Sequence, residues 1–314
     1  MCIKLPRLKP RLKLGKFIVV VFLQIFSQLA FSQPAASAEL GDEAQGVFWQ
    51  LEKDGETAGY LLGTIHSEDP RVLEFSEQFL GKLNSCDVFA MEMVPDTPTL
   101  HKLTKYMNFQ DGKTLLSVIG EERFSMLTNA MAGYRLPADF LVHMKPWAAM
   151  LTLSTPPPKT GFFMDLSLSL RASGNSLSVV GLETLEQQLS FLENMPIDMQ
   201  ISLLDQAITE AGRVEQMQLE MVDAYLENNL QHLQSLTDEE LQTAGEEARD
   251  YFNRYGIEQR NQRMMSALLP MLETSKVFVA VGALHLPGQL GLLNLLSDRG
   301  YKALALPLPF AQGE

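Results

Sequence analysis

The chain has 314 residues, 46% of them hydrophobic, which is enough to bury a substantial core and too apolar for bulk disorder. Its 25 lysines and arginines face 38 aspartates and glutamates, a formal net charge of −13. With six of the 25 basic residues in the first 16 positions, the balance over the rest of the chain argues against a nucleic-acid-binding role.

Residues 1–38 read as an export leader. Lys4, Arg7, Lys9, Arg11, Lys13 and Lys16 precede an apolar stretch from Phe17 to about Phe31, and Ala36-Ser37-Ala38 offers a small-residue cleavage site, with Ala30-Phe31-Ser32 as an earlier one. The apolar stretch is interrupted by Gln24, Ser27 and Gln28 and falls short of the roughly 20 residues that span a bilayer. Periplasmic or secreted localisation is therefore expected, with no stable membrane insertion after cleavage. Losing these six basic residues takes the formal charge from −13 to −19. Cys2 leaves with the leader, so Cys86 has no partner for a disulfide and reads as a small buried apolar residue.

Residues 39–314 are expected to form one domain. "GVFWQLEKDGETAGYLLGTIH" predicts a hairpin, with strands over 47–53 and 58–65 and a turn at Asp54-Gly55. "SEQFLGKLNSC" predicts a short helix leading into a buried strand, "DVFAMEM". Helical spacing then dominates about 99–175, punctuated by Gly133, Leu136-Pro137, Lys145-Pro146-Trp147 and "STPPPKTG". A strand at 176–183, "SLSVVGLE", separates this from a second helical stretch over about 184–275, with breaks expected at Pro196, Gly212 and Gly256. "KVFVAVG" is a strongly apolar strand, and "GQLGLLNLLSDRGYKALAL" gives a helix, a stop at Gly300 and a last strand. The expected fold is α/β (α+β): a central mixed sheet built from N- and C-terminal strands, with a large helical insertion or cap between them.

Two strands end in the same way. "YLLGTIH" brings His66 three residues after Gly63, and "VFVAVGALH" brings His285 three residues after Gly282, each glycine expected to allow a sharp or positive-φ bend. "DVFAMEM" and "SVVGLET" place Glu92 and Glu183 at comparable positions. In an open α/β sheet, ligand-binding groups gather beyond the carboxyl ends of the strands, so these four residues are expected on one rim. Two imidazoles and a carboxylate can hold a divalent transition ion (Mn, Co or Zn) with one position left for water, so the metal set is His66, Glu92 and His285. A second carboxylate would shuttle the proton. His101, His143 and His232 look structural, and no H-E-x-x-H, G-x-S-x-G or phosphate-binding glycine loop is present.

Together "GYLLGTIH", "FAMEM", "KPWAAM", "VVGLETLEQQLSFL", "EQRNQRM" and "VFVAVGALHLPGQLGLLNLLSDRGY" resemble the TraB/GumN family, which includes YbaP-like exported proteins and the TIKI metalloproteases. The resemblance implies a metal-dependent hydrolase, peptidase-like, in the erythromycin-esterase/ChaN-like superfamily. It assigns catalytic roles to Glu92, Glu183, Arg260 and Asn261, with Arg260 clamping a substrate carboxylate or orienting Glu92, or else forming a surface salt bridge. The substrate would be a peptide or small molecule. Two other readings stay open: a protein that binds a peptide or small ligand without turnover, and a metal-independent, esterase-like hydrolase with a histidine general base.

Overall fold

The computed structural model describes residues 46–311, and the expected leader lies outside them. Six strands form one sheet: β1 (Phe48–Lys53), β2 (Glu56–Thr64), β3 (Val88–Met91), β4 (Ser178–Gly181), β5 (Val277–Gly282) and β6 (Lys302–Ala305), in the order β4-β3-β5-β2-β1-β6. β1 and β2 are the expected hairpin. Asp54 and Gly55 both take positive φ, 53° and 86°, as a two-residue turn matched to strand twist requires. β5, without a single exposed residue, lies between β3 and β2 and parallel to both, while β4 runs parallel to β3 at one edge. β6 closes the other edge, antiparallel to β1. The strands before and after the long helical stretches thus share one sheet.

Helices occupy most of the intervening chain. The first, α1 (Glu77–Asn84), is capped by Ser76, which accepts from the Phe79 amide. Then come α2 (Thr97–Met107), α3 (Leu115–Ile119), α4 (Glu121–Ala130), α5 (Ala138–His143), α6 (Pro146–Leu153) and α7 (Met164–Gly174). Beyond β4 lie α8 (Leu185–Glu193), α9 (Ile197–Glu210), α10 (Val214–Leu226), α11 (Leu230–Ala244), α12 (Glu246–Tyr251) and α13 (Gln259–Leu272), with α14 (Leu292–Ser297) between β5 and β6. Pro196 and Gly212 fall at helix boundaries as expected. Gly256 does not: it lies inside a π-helical segment, Phe252–Glu258, that continues α12 directly into α13. A Cβ at this position would meet the Phe252 and Phe191 rings at 3.5 and 3.6 Å, ordinary contact distances.

Apolar burial divides into two clusters. One surrounds the sheet, where the Phe278 ring stands among Phe48, Tyr60, Phe79 and Phe89 at centroid distances of 5.5–6.2 Å. The second is helical and gathers Leu103, Leu127, Trp147, Leu189, Leu204 and Phe252. Trp147, from "KPWAAM", is a tie within that cap: its amide donates to Gln200 and its indole to Glu193. Among the described residues, no helix is long and apolar enough to cross a membrane.

Candidate active site at the carboxyl edge of the sheet

Because β4, β3, β5 and β2 are mutually parallel, their carboxyl ends open on one edge. Glu92 directly follows β3, Glu183 and His66 come two residues after β4 and β2, and His285 closes the 3-10 turn after β5. All four side chains are buried. Glu183 is held at its elbow by a reciprocal cap, in which Thr184 accepts from the Gln187 amide while the Gln187 side chain accepts from the Thr184 amide.

Three of the four converge on Arg260, which α13 projects under the rim and which has no exposed surface. Its Nη2 lies 2.7 Å from Glu92 Oε2 and 2.6 Å from Glu183 Oε2, its Nε donates to Glu183 Oε2 at 2.8 Å, and its Nη1 lies 3.2 Å from His285 Nε2. Glu183 also receives Arg263 at 3.2 Å. Glu92 takes further bonds from the Gln188 amide at 3.1 Å and from the Gly282 backbone at 2.8 Å. Burial would raise the Glu92 carboxyl, but Arg260, His285 and the Gly282 N–H together bring it down to about 2. Arg260 stays charged, because its two carboxylates outweigh the desolvation that opposes them.

Asn261, also fully buried, fixes the tautomer of His285. Its Nδ2 donates to two backbone carbonyls, of His285 and Leu290, so its Oδ1 must be the atom 2.6 Å from His285 Nδ1. His285 therefore carries its proton on Nδ1 and turns the Nε2 lone pair toward Arg260. Burial, with a smaller contribution from Arg260, takes its pKa to about 3 against the opposing pull of Glu92, so the ring is neutral.

His66 has a different partner, one that the sequence reading missed. Its Nδ1 lies 3.1 Å from Oδ2 of Asp165, in the first turn of α7, and Thr64 donates to the other oxygen, Oδ1, at 2.7 Å. Phe163 stacks on the imidazole at 5.2 Å, and Gln218 donates to the His66 carbonyl at 3.3 Å. His66 Nε2 is buried with no hydrogen-bond partner, and the Nδ1 contact with Asp165 is close but not aligned as a bond. Burial pushes the Asp165 carboxyl up; His66 and Thr64 oppose this, and Glu92 adds to it, so the two halves of the rim sense each other electrostatically. The only signal in the sequence was one acid in the otherwise uncharged run "GFFMDLSLSL".

The glycines act otherwise than expected. Neither bends the chain through positive φ: Gly63 lies within β2 opposite Val281, and Gly282 ends β5 at φ −51°. Gly63 is needed for close approach, since a Cβ there would meet Ala283 Cα at 2.8 Å. This brings the turn bearing His285 against β2, where Tyr225 also donates to the Gly63 carbonyl at 2.7 Å.

Of the expected metal set, Glu92 and His285 lie together at Arg260, with His285 Nε2 3.7 Å from Glu92 Oε1, and His66 stands beside Asp165. Glu92 Oε2 and His285 Nε2 face the Arg260 guanidinium, while both ring nitrogens of His66 are buried without a hydrogen bond. Among the described residues, no group of three or more His, Cys, Asp or Glu side chains is placed to hold an ion. Arg260 is neither a surface ion pair nor a free clamp, because its bonds go to the rim itself. The remaining histidines stand apart: His101 and His143 are exposed, and His232 pairs with Glu227. Burial pushes the Cys86 thiol up to about 12, which disfavours the thiolate at neutral pH.

In comparison with known proteins, the model of the TraB/PrgY/gumN family matches residues 47–304. No curated protein and no solved structure matches the chain.

Proposed function

The chain belongs to the TraB/PrgY/gumN family, and from that premise we propose that it is an exported hydrolase of peptides or small esters and amides in which His66 activates water. The observation that carries this reading is the buried His66 imidazole, backed by Asp165 at Nδ1 and unpartnered at Nε2. A water at Nε2 attacking a carbonyl gives its proton to that nitrogen. The imidazolium so formed is offset by the Asp165 carboxylate, which Thr64 holds in place.

Around this pair, Arg260, Glu92, Glu183, Asn261 and His285 act as a frame. Their charges and hydrogen bonds are satisfied within the group, so they fix the ends of β3, β4 and β5 without reorganising during reaction. The four parallel strands and the helical stretches between them support the reading of an erythromycin-esterase/ChaN-like fold. The engagement of Glu92 and His285 by Arg260 favours the metal-independent form of the reaction over the ion-dependent form drawn from resemblance.

A panel of peptides and activated esters, assayed with the mature chain, tests the proposal. Turnover that survives exhaustive chelation and falls by roughly a hundredfold or more in His66→Gln is expected. Turnover abolished by chelation and restored by Mn, Co or Zn would return the ion to the mechanism. No hydrolysis of any substrate, with tight binding of one, would make the protein a binder.

A further inference from the structure

The segment between α6 and α7, "STPPPKTGFF" at 154–163, meets the His66 loop at two points. Phe163 covers the imidazole, leaving His66 only 3% exposed. Two residues after His66, the Glu68 carboxylate is held by three successive backbone amides of the same segment. Lys159 N donates to Oε2 at 2.8 Å, Thr160 N reaches Oε2 at 3.1 Å and Oε1 at 3.2 Å, and Gly161 N donates to Oε1. Gly161 is in the left-handed region, with φ 81°, a conformation that a side chain at this position would strain. A row of convergent amides of this kind receives a carboxylate whichever molecule supplies it. It lies on a cleft of about 390 Å³ that also takes in Ser67, Pro157 and the exposed side chain of Leu219.

We propose that the amides of residues 159–161 are a carboxylate-binding subsite, filled in this state by Glu68, and that exchange of Glu68 for a ligand carboxylate uncovers His66. The proposal rests on the reading of His66 as the water-activating group. In the closed arrangement His66 Nε2 has no partner and the ring is covered, so reaction requires the segment to shift. A shift breaks the charge-assisted bonds to Glu68. A ligand bearing a free carboxylate restores them to the same amides and so favours the open state, whereas a neutral ligand restores nothing. The site is thereby selective for substrates with a free acid terminus, such as a peptide with an unblocked C-terminus, whose apolar side chain would lie along Pro157 and Leu219.

The test reads accessibility and amide protection, so it stands apart from any failure to find turnover. In Glu68→Gln, carbethoxylation of His66 followed by mass spectrometry is expected to run about tenfold faster than in the unaltered chain. In the same variant, N-acetyl-leucine is expected to slow hydrogen exchange at residues 159–161, and N-acetyl-leucinamide is not. Gly161→Ala, which disrupts the row without touching Glu68, is expected to expose His66 likewise and to lose the response to N-acetyl-leucine. Equal His66 reactivity in all three proteins, or equal protection by acid and amide, would overturn the proposal.

Discussion

Arg260 is the side chain on which most of the rim depends, since its loss leaves Glu183 with Arg263 alone and the buried Glu92 with no arginine. Arg260→Met is expected to destabilise the fold by about 3–5 kcal/mol in urea denaturation, because breaking a buried pair costs more than the pair itself contributes. Arg260→Lys is expected to recover only part of this, as one ammonium cannot reproduce the forked contacts to Glu92 and Glu183. Asp165 separates stability from chemistry. Asp165→Asn removes a buried charge while keeping a bond to Thr64, so turnover should drop by roughly a hundredfold or more with the urea midpoint little changed. An equal loss of both would make Asp165 a structural residue. Glu92, Glu183, His285, Arg260 and Asn261 were legible from the sequence because each lies in a strand-end pattern or a family motif. Asp165 was not: it is a single acid on a helix, and only the packing of α7 against β3 and β4 gives it a histidine to face.

At the scale of elements, strand ends carry the acids and histidines, and helix starts hold them in register. Thr184→Ala removes the reciprocal cap next to Glu183 and is expected to cost about 1 kcal/mol, seen as a lowered thermal midpoint. Gly63→Ala forces β2 away from the turn bearing His285 and is expected to cost about 1–3 kcal/mol, with backbone amide shifts in NMR spectra concentrated at residues 283–286. The hairpin, the apolar strands and the breaks at Pro196 and Gly212 followed from local composition. The π-helical run from Phe252 to Glu258 did not, although it ends two residues before Arg260 and supplies the Gly256 carbonyl 3.5 Å from Nη1. A residue spacing that suits an i→i+4 ladder differs little from one that suits i→i+5, so glycine there was read as a stop when tertiary contacts carry the helix through.

For the whole molecule, acid is the expected weak point. His285 has its pKa lowered from 6.5 to about 3, and Glu92 from 4.5 to about 2. Both folded values lie below the unfolded ones, so unfolding takes up protons: the stability they contribute is complete above pH 6.5 and is lost as pH falls, first through His285 and then, below about 4.5, through Glu92. Asp165 has the opposite sign, since burial raises it, and it offsets part of the loss. Thermal midpoints measured between pH 7 and 3 are expected to decline, and His285→Gln is expected to flatten the upper part of that decline. A midpoint unchanged across this range would mean that the rim does not hold these groups in their charged and neutral forms. What the sequence determined by itself was the set of strands, the helical character of the chain between them, and the residue types waiting at the strand ends, because turn chemistry and apolar periodicity act over a few neighbouring residues. Which of those groups meet was decided only in three dimensions: Arg260 reaches partners 77 and 168 positions away, and His66 faces an acid 99 residues downstream. Buried charges pair according to distance and desolvation in the packed interior, and these arise from the parallel order of β4, β3, β5 and β2 rather than from proximity along the chain.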